Sequence, residues 1–277
     1  MRPDFLAIGH IAKDLTPDGF TIGGAVTYAG LAASRLGLSV GVVTSAAADL
    51  QPHLRSALAG LELHVVPSEG TTTFRNTYRQ GRRTQVLSDV GGPIDVSDIP
   101  DGWSDASLVL LGPLAQEVGY DLARHFPKAT VVASIQGWLR RWDDRGRVSR
   151  RDWDGAEVLP HVDAAICSID DVSDEQSLDR WKGLAPVFIH TRGREGANIH
   201  YGGEWHHIPA FEAQEVDATG AGDVFAAAYM VRLSETSDVL ESARFASCAA
   251  SFCVEAEGTA GIPTRAQVEA RLTSRTP

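Results

Sequence analysis

The chain has 277 residues, of which 43% are hydrophobic, and a formal net charge of −11 at pH 7. This length suffices for one large hydrophobic core with a small added sheet. The acidic balance argues against a nucleic-acid partner, although backbone amides can still hold a phosphate ligand. No apolar run is long enough to span a bilayer, so we expect no membrane partner.

The N-terminal residues and the cysteines favour a cytoplasmic protein. Residues 1–4 lead directly into an apolar run, so we expect no signal peptide. The three cysteines, Cys167, Cys248 and Cys253, show neither zinc-ligand nor disulfide spacing.

Short apolar runs alternate with helical patterns along most of the chain. Such near-continuous runs are typical of parallel strands that are buried on both faces. The predicted strands are 5–9, 39–44, 107–111, 130–134, 164–168 and 186–190. The predicted helices between them are 24–36, 113–125, 154–161 and 177–182. This alternation predicts a three-layer α/β sandwich with a mostly parallel central sheet.

Two regions, 71–88 and 197–208, predict antiparallel hairpins instead. Residues 71–78 and 82–88 alternate around Gln80-Gly81, which predicts an exposed hairpin. Together with residues 18–22 it would form a small β lid over about 11–24 and 71–92. No linker or repeat interrupts the chain, so we predict a single domain over 1–277.

The C-terminal part is predicted to be a hairpin followed by two helices. Gly202-Gly203 joins strands at 197–201 and 204–208. Two long alanine-rich helices follow, at 221–233 and 237–255.

The most informative segment is Asp217-Ala-Thr-Gly-Ala-Gly-Asp223, at the start of the first of these helices. A glycine-bearing turn at a helix start points unpaired amides outward, and the helix dipole adds positive potential there. The carboxylate of Asp223 lies inside this anion site. An enzyme that transfers a phosphoryl group to a hydroxyl needs a base at that place. Alternatively, Asp223 only complements the helix dipole.

Three segments, in order along the chain, together resemble the ribokinase-like (PfkB) carbohydrate kinases. They are GGAVTYA from Gly23, TRGREG from Thr191, and DATGAGDVFAAAY from Asp217. The resemblance implies the ribokinase-like fold and transfer of a phosphoryl group from ATP, with Mg²⁺, to a sugar, polyol or nucleoside hydroxyl.

The resemblance also implies roles for single residues of the reaction centre. Asp223 would be the general base, and the amides of Gly220, Ala221 and Gly222 would hold the transferred phosphoryl group. An ordinary loop-to-helix turn would also use these glycines.

On the acceptor side, Gly23 and Gly24 would let the backbone approach the substrate, although a plain turn before a helix explains them too. Asp14 stands where the family places a carboxylate that accepts hydrogen bonds from sugar hydroxyls. Asn76 lies on the predicted lid and is a further candidate for substrate binding; a solvated strand face is its alternative.

On the donor side, the resemblance assigns Thr191, Gly193, Gly196 and Ser168 to ATP binding; a plain β-turn at 191–196 is the alternative. Many members carry an N-x-x-E motif that organises Mg²⁺. Here Ser168 replaces the asparagine and Asp171 the glutamate, so Asp171 would reach the ion through water. This change hints at an inositol-like acceptor.

Asp217 and Thr219 occupy positions that supply cation ligands in potassium-activated members of the family. A turn residue and a helix N-cap explain them equally, and the two interpretations are compatible.

The sequence lacks other nucleotide-binding signatures. There is no GxxxxGK[ST] loop, no kinase HRD or DFG set, and no GxGxxG after the first strand. We therefore expect a sugar or polyol kinase. The alternatives are a nucleoside kinase on the same fold, or a catalytically silent paralogue that binds a metabolite. An exposed lid hairpin also favours a homodimer, because an unpaired strand edge seeks a partner.

Overall fold

The computed structural model describes residues 2–79, 82–172 and 174–274. Its strands are β1 (Phe5–Ile8), β2 (Ala12–Thr16), β3 (Gly19–Gly23), β4 (Val40–Ala46), β5 (Glu62–Pro67), β6 (Thr73–Arg79), β7 (Arg82–Asp89), β8 (Leu108–Leu111), β9 (Thr130–Ser134), β10 (Arg140–Trp142), β11 (Val148–Arg150), β12 (Ala164–Ser168), β13 (Val187–Thr191), β14 (Ala197–Tyr201) and β15 (Glu204–Ile208). Its α-helices are α1 (Ala25–Arg35), α2 (Gln51–Ala57), α3 (Leu122–His125), α4 (Glu175–Lys182), α5 (Ala221–Thr236), α6 (Val239–Cys253) and α7 (Arg265–Ser274).

A nine-stranded sheet forms the centre, in the order β15-β14-β13-β12-β9-β8-β1-β4-β5. Its pairs are parallel except those that β14 makes with β13 and β15. Side chains of β1 alternate between two cores: Phe5 and Ala7 lie in one, Leu6 and Ile8 in the other. Both faces of the sheet are therefore buried, and the predicted three-layer α/β architecture is confirmed.

One face of the sheet packs against the longer helices. Helix α5 lies between α1 and α6, and its run Val224–Val231 is buried throughout. A helix that is apolar all round belongs in such a central position. No helix within the described ranges is long and apolar enough to cross a membrane.

The other face is covered by short helices and an aromatic cluster. The rings of Trp138 and Trp153 stack with centroids 5.5 Å apart, and Trp181 lies beside Trp153 at 6.2 Å. Large indole rings fill the space that long helices would otherwise occupy.

The helix predicted at 113–125 is wrong except for its last turn, α3. The side chain of Glu117 accepts the amides of Leu114 at 2.9 Å and Ala115 at 2.7 Å. Gln116 has a φ of 64°, in the left-handed region. Side-chain acceptance of backbone amides competes with helix formation, and here it prevails.

The helix predicted at 154–161 is also wrong. A 3₁₀ turn, Leu159–His161, is all that forms there. Asp154 accepts the amide of Ala156 at 3.0 Å, and Gly155 has a φ of 76°. This side-chain turn and the left-handed glycine end any helix before it can begin.

Four strands form a second sheet in the order β3-β2-β6-β7, which we call the lid sheet. Its strands lie inside the ranges 11–24 and 71–92. The turn predicted at Gln80-Gly81 lies outside the described residues. The outer edge of β7 is partly covered, since the Leu87 amide donates to the carbonyl of Gly146 at 2.8 Å.

A buried polar cluster joins the lid sheet to the central sheet. Glu117, which is 5% exposed, accepts three backbone N–H bonds at 2.8, 2.9 and 2.7 Å, from His10, Leu114 and Ala115. The His10 ring in turn lies 2.6 Å from the hydroxyl of Thr72. Because His10 follows β1 and Thr72 precedes β6, the cluster fixes the base of the lid sheet.

We expect Glu117→Gln to lower the free energy of unfolding by about 2–3 kcal/mol. The substitution removes a charged acceptor and turns an amide NH₂ towards backbone donors. Urea unfolding followed by tryptophan fluorescence measures the change. The exposed Glu204→Gln serves as the matched control and should stay within about 0.5 kcal/mol of the parent. Equal unfolding midpoints for the two variants would contradict this role.

Candidate active site

The segment from Asp217 to Asp223 forms the N-terminus of α5, as its sequence predicts. Gly220 is the N-cap with a φ of 79°, and Asp223 lies in the first helical turn. A side chain at Gly220 would overlap the ring of Tyr28, because an added Cβ would lie 2.1 Å from Cδ1. Glycine is thus required twice here, by the left-handed backbone and by the contact.

The amides of this turn divide into two groups. The Ala221 amide donates to the carbonyl of Ala218 at 3.3 Å, and the Asp223 amide to the carbonyl of Gly220 at 3.0 Å. Within the described part of the chain, the amides of Gly220 and Gly222 have no such acceptor. Gly222 is exposed, and a Cβ built on it would meet nothing within 4 Å. Of the three amides predicted to hold the phosphoryl group, that of Ala221 is thus used by the turn itself, and those of Gly220 and Gly222 remain the candidates.

Tyr28, in the first turn of α1, lies against the turn that leads to Asp223. It is 4% exposed. Burial raises the pKa of its hydroxyl, and the negative charges of Asp217, Asp14 and Asp223 raise it further. Backbone contacts connect the same groups: Gly220, in the turn before Asp223, rests on the Tyr28 ring, and Gly23, just before α1, lies against the Asp14 carboxylate.

The Cys253 side chain packs against the turn that precedes α5. Its thiol is fully buried and lies 3.7 Å from the carbonyl oxygen of Thr219. Burial, followed by the charges of Asp223 and Asp217, raises the pKa of this thiol to about 12. The thiol therefore stays protonated and packs as a small apolar group.

Asp217 joins two loops through its carboxylate. Oδ1 accepts the amide of Thr219 at 2.9 Å, and Oδ2 accepts the amide of Gly258 at 3.0 Å. The turn role that the sequence allowed is thus present. The cation role of Asp217 and Thr219 stays a prediction.

The lid sheet presents a row of polar side chains. The Asn76 amide nitrogen donates to Asp14 at 3.2 Å, and the Gln85 amide nitrogen donates to Asn76 at 2.9 Å. In the sheet register Asn76 lies opposite Gln85, so the row crosses β2, β6 and β7 on one face. Vicinal hydroxyls of a polyol could replace or extend such a row of donors and acceptors.

The paired glycines hold the backbone close to this row. A Cβ on Gly23 would lie 2.0 Å from the Asp14 carboxylate, and one on Gly24 2.6 Å from the carbonyl of His10. Gly24 also has a φ of 96° and caps α1. Both glycines are therefore needed for close approach, beyond the flexible turn that the sequence alone would allow.

The predicted donor-side residues gather at the ends of two neighbouring strands. Ser168 ends β12 and lies opposite Thr191, which ends β13. The chain then turns through Gly193 and Gly196, with φ values of 56° and 100°. A Cβ on Gly196 would lie 2.1 Å from the carbonyl oxygen of Ile208, so this turn is packed tightly against the end of β15.

Asp171 lies just beyond Ser168 and is held on both oxygens. Gln136 donates to it at 2.8 Å and the Ser168 amide at 3.1 Å. Burial raises the pKa of this carboxyl, while the charge of Arg140 acts in the opposite direction. An inward carboxylate that already accepts two hydrogen bonds suits a Mg²⁺ ion bound through water better than a direct ligand.

Three residues of this region were missed by sequence reasoning. Tyr28 was seen only as part of the paired-glycine segment. Gln136 follows β9, and Arg140, 8% exposed, lies over the Phe74 ring of the lid sheet at 5.4 Å. For Gln136 and Arg140 the one available signal was their position after the predicted strand 130–134, at the edge where parallel sheets bind ligands.

Residues 157–265 match the sequence profile of the pfkB family carbohydrate kinases. The chain is 44% identical to ribokinase of Bacillus subtilis (strain 168) over 89 residues, which are 32% of this chain and 30% of that enzyme. It is 26% identical to cytidine kinase of Thermococcus kodakarensis over 263 residues, 87% of this chain and 92% of that enzyme. The matched region thus spans under a third of the first relative and nearly all of the second.

The fold is shared with a pyrophosphate-dependent kinase in the ribokinase family, solved in complex with a pyrophosphate analogue and myo-inositol. The TM-score is 0.79 at 22% identity, over 96% of this chain and 99% of that one. This likeness establishes the ribokinase fold for the chain.

We expect Asp217→Ala to lower the free energy of unfolding by about 1–3 kcal/mol, because two partly buried amides lose their acceptor. Urea unfolding in choline chloride measures this. Asp179→Ala, which removes a largely exposed carboxylate, is the matched control and should cost under about 0.5 kcal/mol. If a monovalent cation binds here, replacing choline by potassium stabilises the parent but not Asp217→Ala. If the two substitutions lower the free energy of unfolding equally in choline chloride, Asp217 does not hold the two loops together.

Proposed function

We propose that this chain, which belongs to the PfkB family of carbohydrate kinases, transfers a phosphoryl group to a hydroxyl of a small polyol or sugar. The observation that carries the proposal is the convergence on Tyr28. At the start of α1, the Tyr28 ring lies against Gly220, in the turn that leads to Asp223, and Gly23 lies against the Asp14 carboxylate. This arrangement supports a site in which Asp223 is the base, the amides of Gly220 and Gly222 form the anion hole, and Asp14 and Asn76 bind a polyol.

Asp223 acts as the general base. It lies in the first turn of α5, beside the open amide of Gly222. As the acceptor hydroxyl attacks the terminal phosphorus, Asp223 takes its proton, and the amides of Gly220 and Gly222 meet the charge on the transferred group. Base and amides share one short rigid turn, so little reorganisation is needed when the charge develops.

The acceptor binds against Asp14, Asn76 and Gln85, with the backbone at Gly23 and Gly24 close beside it. These groups offer both donors and acceptors, which suits a compound rich in hydroxyls. The myo-inositol bound by the structural relative supports a cyclic polyol as the first candidate. Cytidine kinase among the relatives supports a nucleoside as the second.

The donor is ATP, held near Ser168, Thr191, Gly193 and Gly196. Mg²⁺, bound through water near Asp171, would neutralise phosphate charge when present. The pyrophosphate-dependent structural relative makes pyrophosphate the alternative donor. We further propose that the lid sheet pairs two copies, which sedimentation equilibrium would show as a dimeric mass.

A pooled assay tests the function. Sugars, polyols and nucleosides are incubated with ATP or with pyrophosphate, and phosphorylated products are identified by mass spectrometry. A phosphorylated polyol or sugar with ATP supports the proposal. A product formed from nucleosides alone favours a nucleoside kinase. A product formed with pyrophosphate but not with ATP would identify pyrophosphate as the donor. No product from any pair favours a silent metabolite-binding paralogue.

We expect Asp223→Asn to lower kcat by about 10²–10⁴-fold, because the positioned base is lost. Binding of the nucleotide, measured by calorimetry, should remain, since the amides of the turn are unchanged. Asp101→Asn, at an exposed position, is the control and should leave kcat unaltered. A turnover close to that of the parent in Asp223→Asn would remove Asp223 from the reaction.

We expect Asn76→Ala to raise KM for the acceptor by about 10-fold, the equivalent of one lost hydrogen bond to the bound substrate. The donor KM should change little. Thr77→Ala is the matched control, because Thr77 is exposed on the opposite face of the same strand. If both substitutions raise the acceptor KM alike, the acceptor does not bind on the Asn76 face.

A further inference from the structure

The ring of Tyr28, in the first turn of α1, lies against Gly220 at the start of α5. A Cβ on Gly220 would lie 2.1, 2.3 and 2.4 Å from three consecutive ring carbons of Tyr28. The backbone of Gly220 therefore rests directly on the ring, with no room for a side chain between them. Helices α1 and α5 pack closely along their length, so this contact belongs to a rigid interface.

The same turn of α1 is fixed to the acceptor side. The hydroxyl of Thr27 donates to the carbonyl of Gly23 at 2.7 Å, and Gly23 lies directly beneath the Asp14 carboxylate. A chain of direct contacts thus connects Asp14, through the start of α1, to Tyr28. The ring of Tyr28 then contacts the turn that leads to Asp223.

We propose that Tyr28 is a positioning residue for phosphoryl transfer: its ring supports Gly220 and so sets where Asp223 and the open amides stand relative to an acceptor held by Asp14. This inference rests on the proposed function. Burial raises the pKa of the Tyr28 hydroxyl, so it stays protonated and adds no charge to the site. The ring, and not an ionisable group, performs the role.

Positioning of this kind affects the chemical step more than binding. A shift of about 1 Å in reacting groups can cost about 10²-fold in rate. The acceptor row of Asp14, Asn76 and Gln85 does not touch Tyr28 through a hydrogen bond within the described residues, so acceptor binding should survive loss of the ring.

The kinetic test compares Tyr28→Leu with Tyr28→Phe. Tyr28→Leu should lower kcat by about 10²-fold with little change in acceptor KM. Tyr28→Phe keeps the ring and should restore most of kcat and the pH profile of the parent. Hydrogen exchange of the peptide over residues 216–224 should be faster in Tyr28→Leu and unchanged in Tyr28→Phe, a readout that does not depend on turnover.

A double-mutant cycle tests the contact itself. In the parent, the alanine of Gly220→Ala clashes with the Tyr28 ring and is also strained by the left-handed backbone. In Tyr28→Leu the clash with the ring is relieved. The losses in kcat caused by the two substitutions should therefore be strongly non-additive. Gly60→Ala is the control for backbone strain alone, because Gly60 has a φ of 92° with nothing within 4 Å of an added Cβ. Combined with Tyr28→Leu it should give additive effects.

The outcomes separate this inference from the function on which it rests. A parent chain that phosphorylates no acceptor overturns both. An active parent whose Tyr28→Leu variant keeps its kcat overturns the positioning role alone. So does a Tyr28→Phe variant as impaired as Tyr28→Leu, since the hydroxyl would then be the working group.

Discussion

The packing of a bare backbone turn on an aromatic ring is the constraint on which the candidate site depends. Gly220 is left-handed and rests on Tyr28, and both conditions exclude any side chain there. From this contact follow the direction of the α5 N-terminus, the position of Asp223 and the exposure of the Gly222 amide. The acceptor side uses the same device, because Gly23 lies directly beneath the Asp14 carboxylate. Two close contacts, of Gly220 with Tyr28 and of Gly23 with Asp14, leave no room for a side chain on either glycine. They set the spacing between the acceptor side and the α5 turn of the candidate site.

The proposed phosphate site lies in an acidic protein and has no lysine in its turn. The net charge is −11, and carboxylates crowd the site. Oriented amides at a helix start supply local positive potential that bulk charge does not cancel. In the proposed reaction one of these carboxylates, that of Asp223, takes a proton where the new charge is stabilised. Burial keeps the neighbouring Tyr28 and Cys253 neutral, so neither adds to the negative charge.

The sequence predicted what depends on local pattern. Apolar runs gave the six buried strands, and the glycine-rich turn before an apolar run gave the start of α5. It failed where a side chain competes for the backbone: Glu117 and Asp154 accept amides that a helix would have used, and the helices predicted around them do not form. It could not assign partners distant in the chain. The contact of Tyr28 with Gly220, and the hydrogen bond of Gln136 to Asp171, arise only from folding.

The central claim is that the amides of Gly220 and Gly222 receive the transferred phosphoryl group while Asp223 faces the acceptor hydroxyl. A crystal structure with a non-hydrolysable ATP analogue and the acceptor identified by the assay tests it most directly. The account predicts the terminal phosphate within hydrogen-bonding distance of both amides, and an acceptor hydroxyl bonded to the Asp223 carboxylate. A phosphate bound away from this turn, or an acceptor that leaves Asp223 untouched, would contradict it.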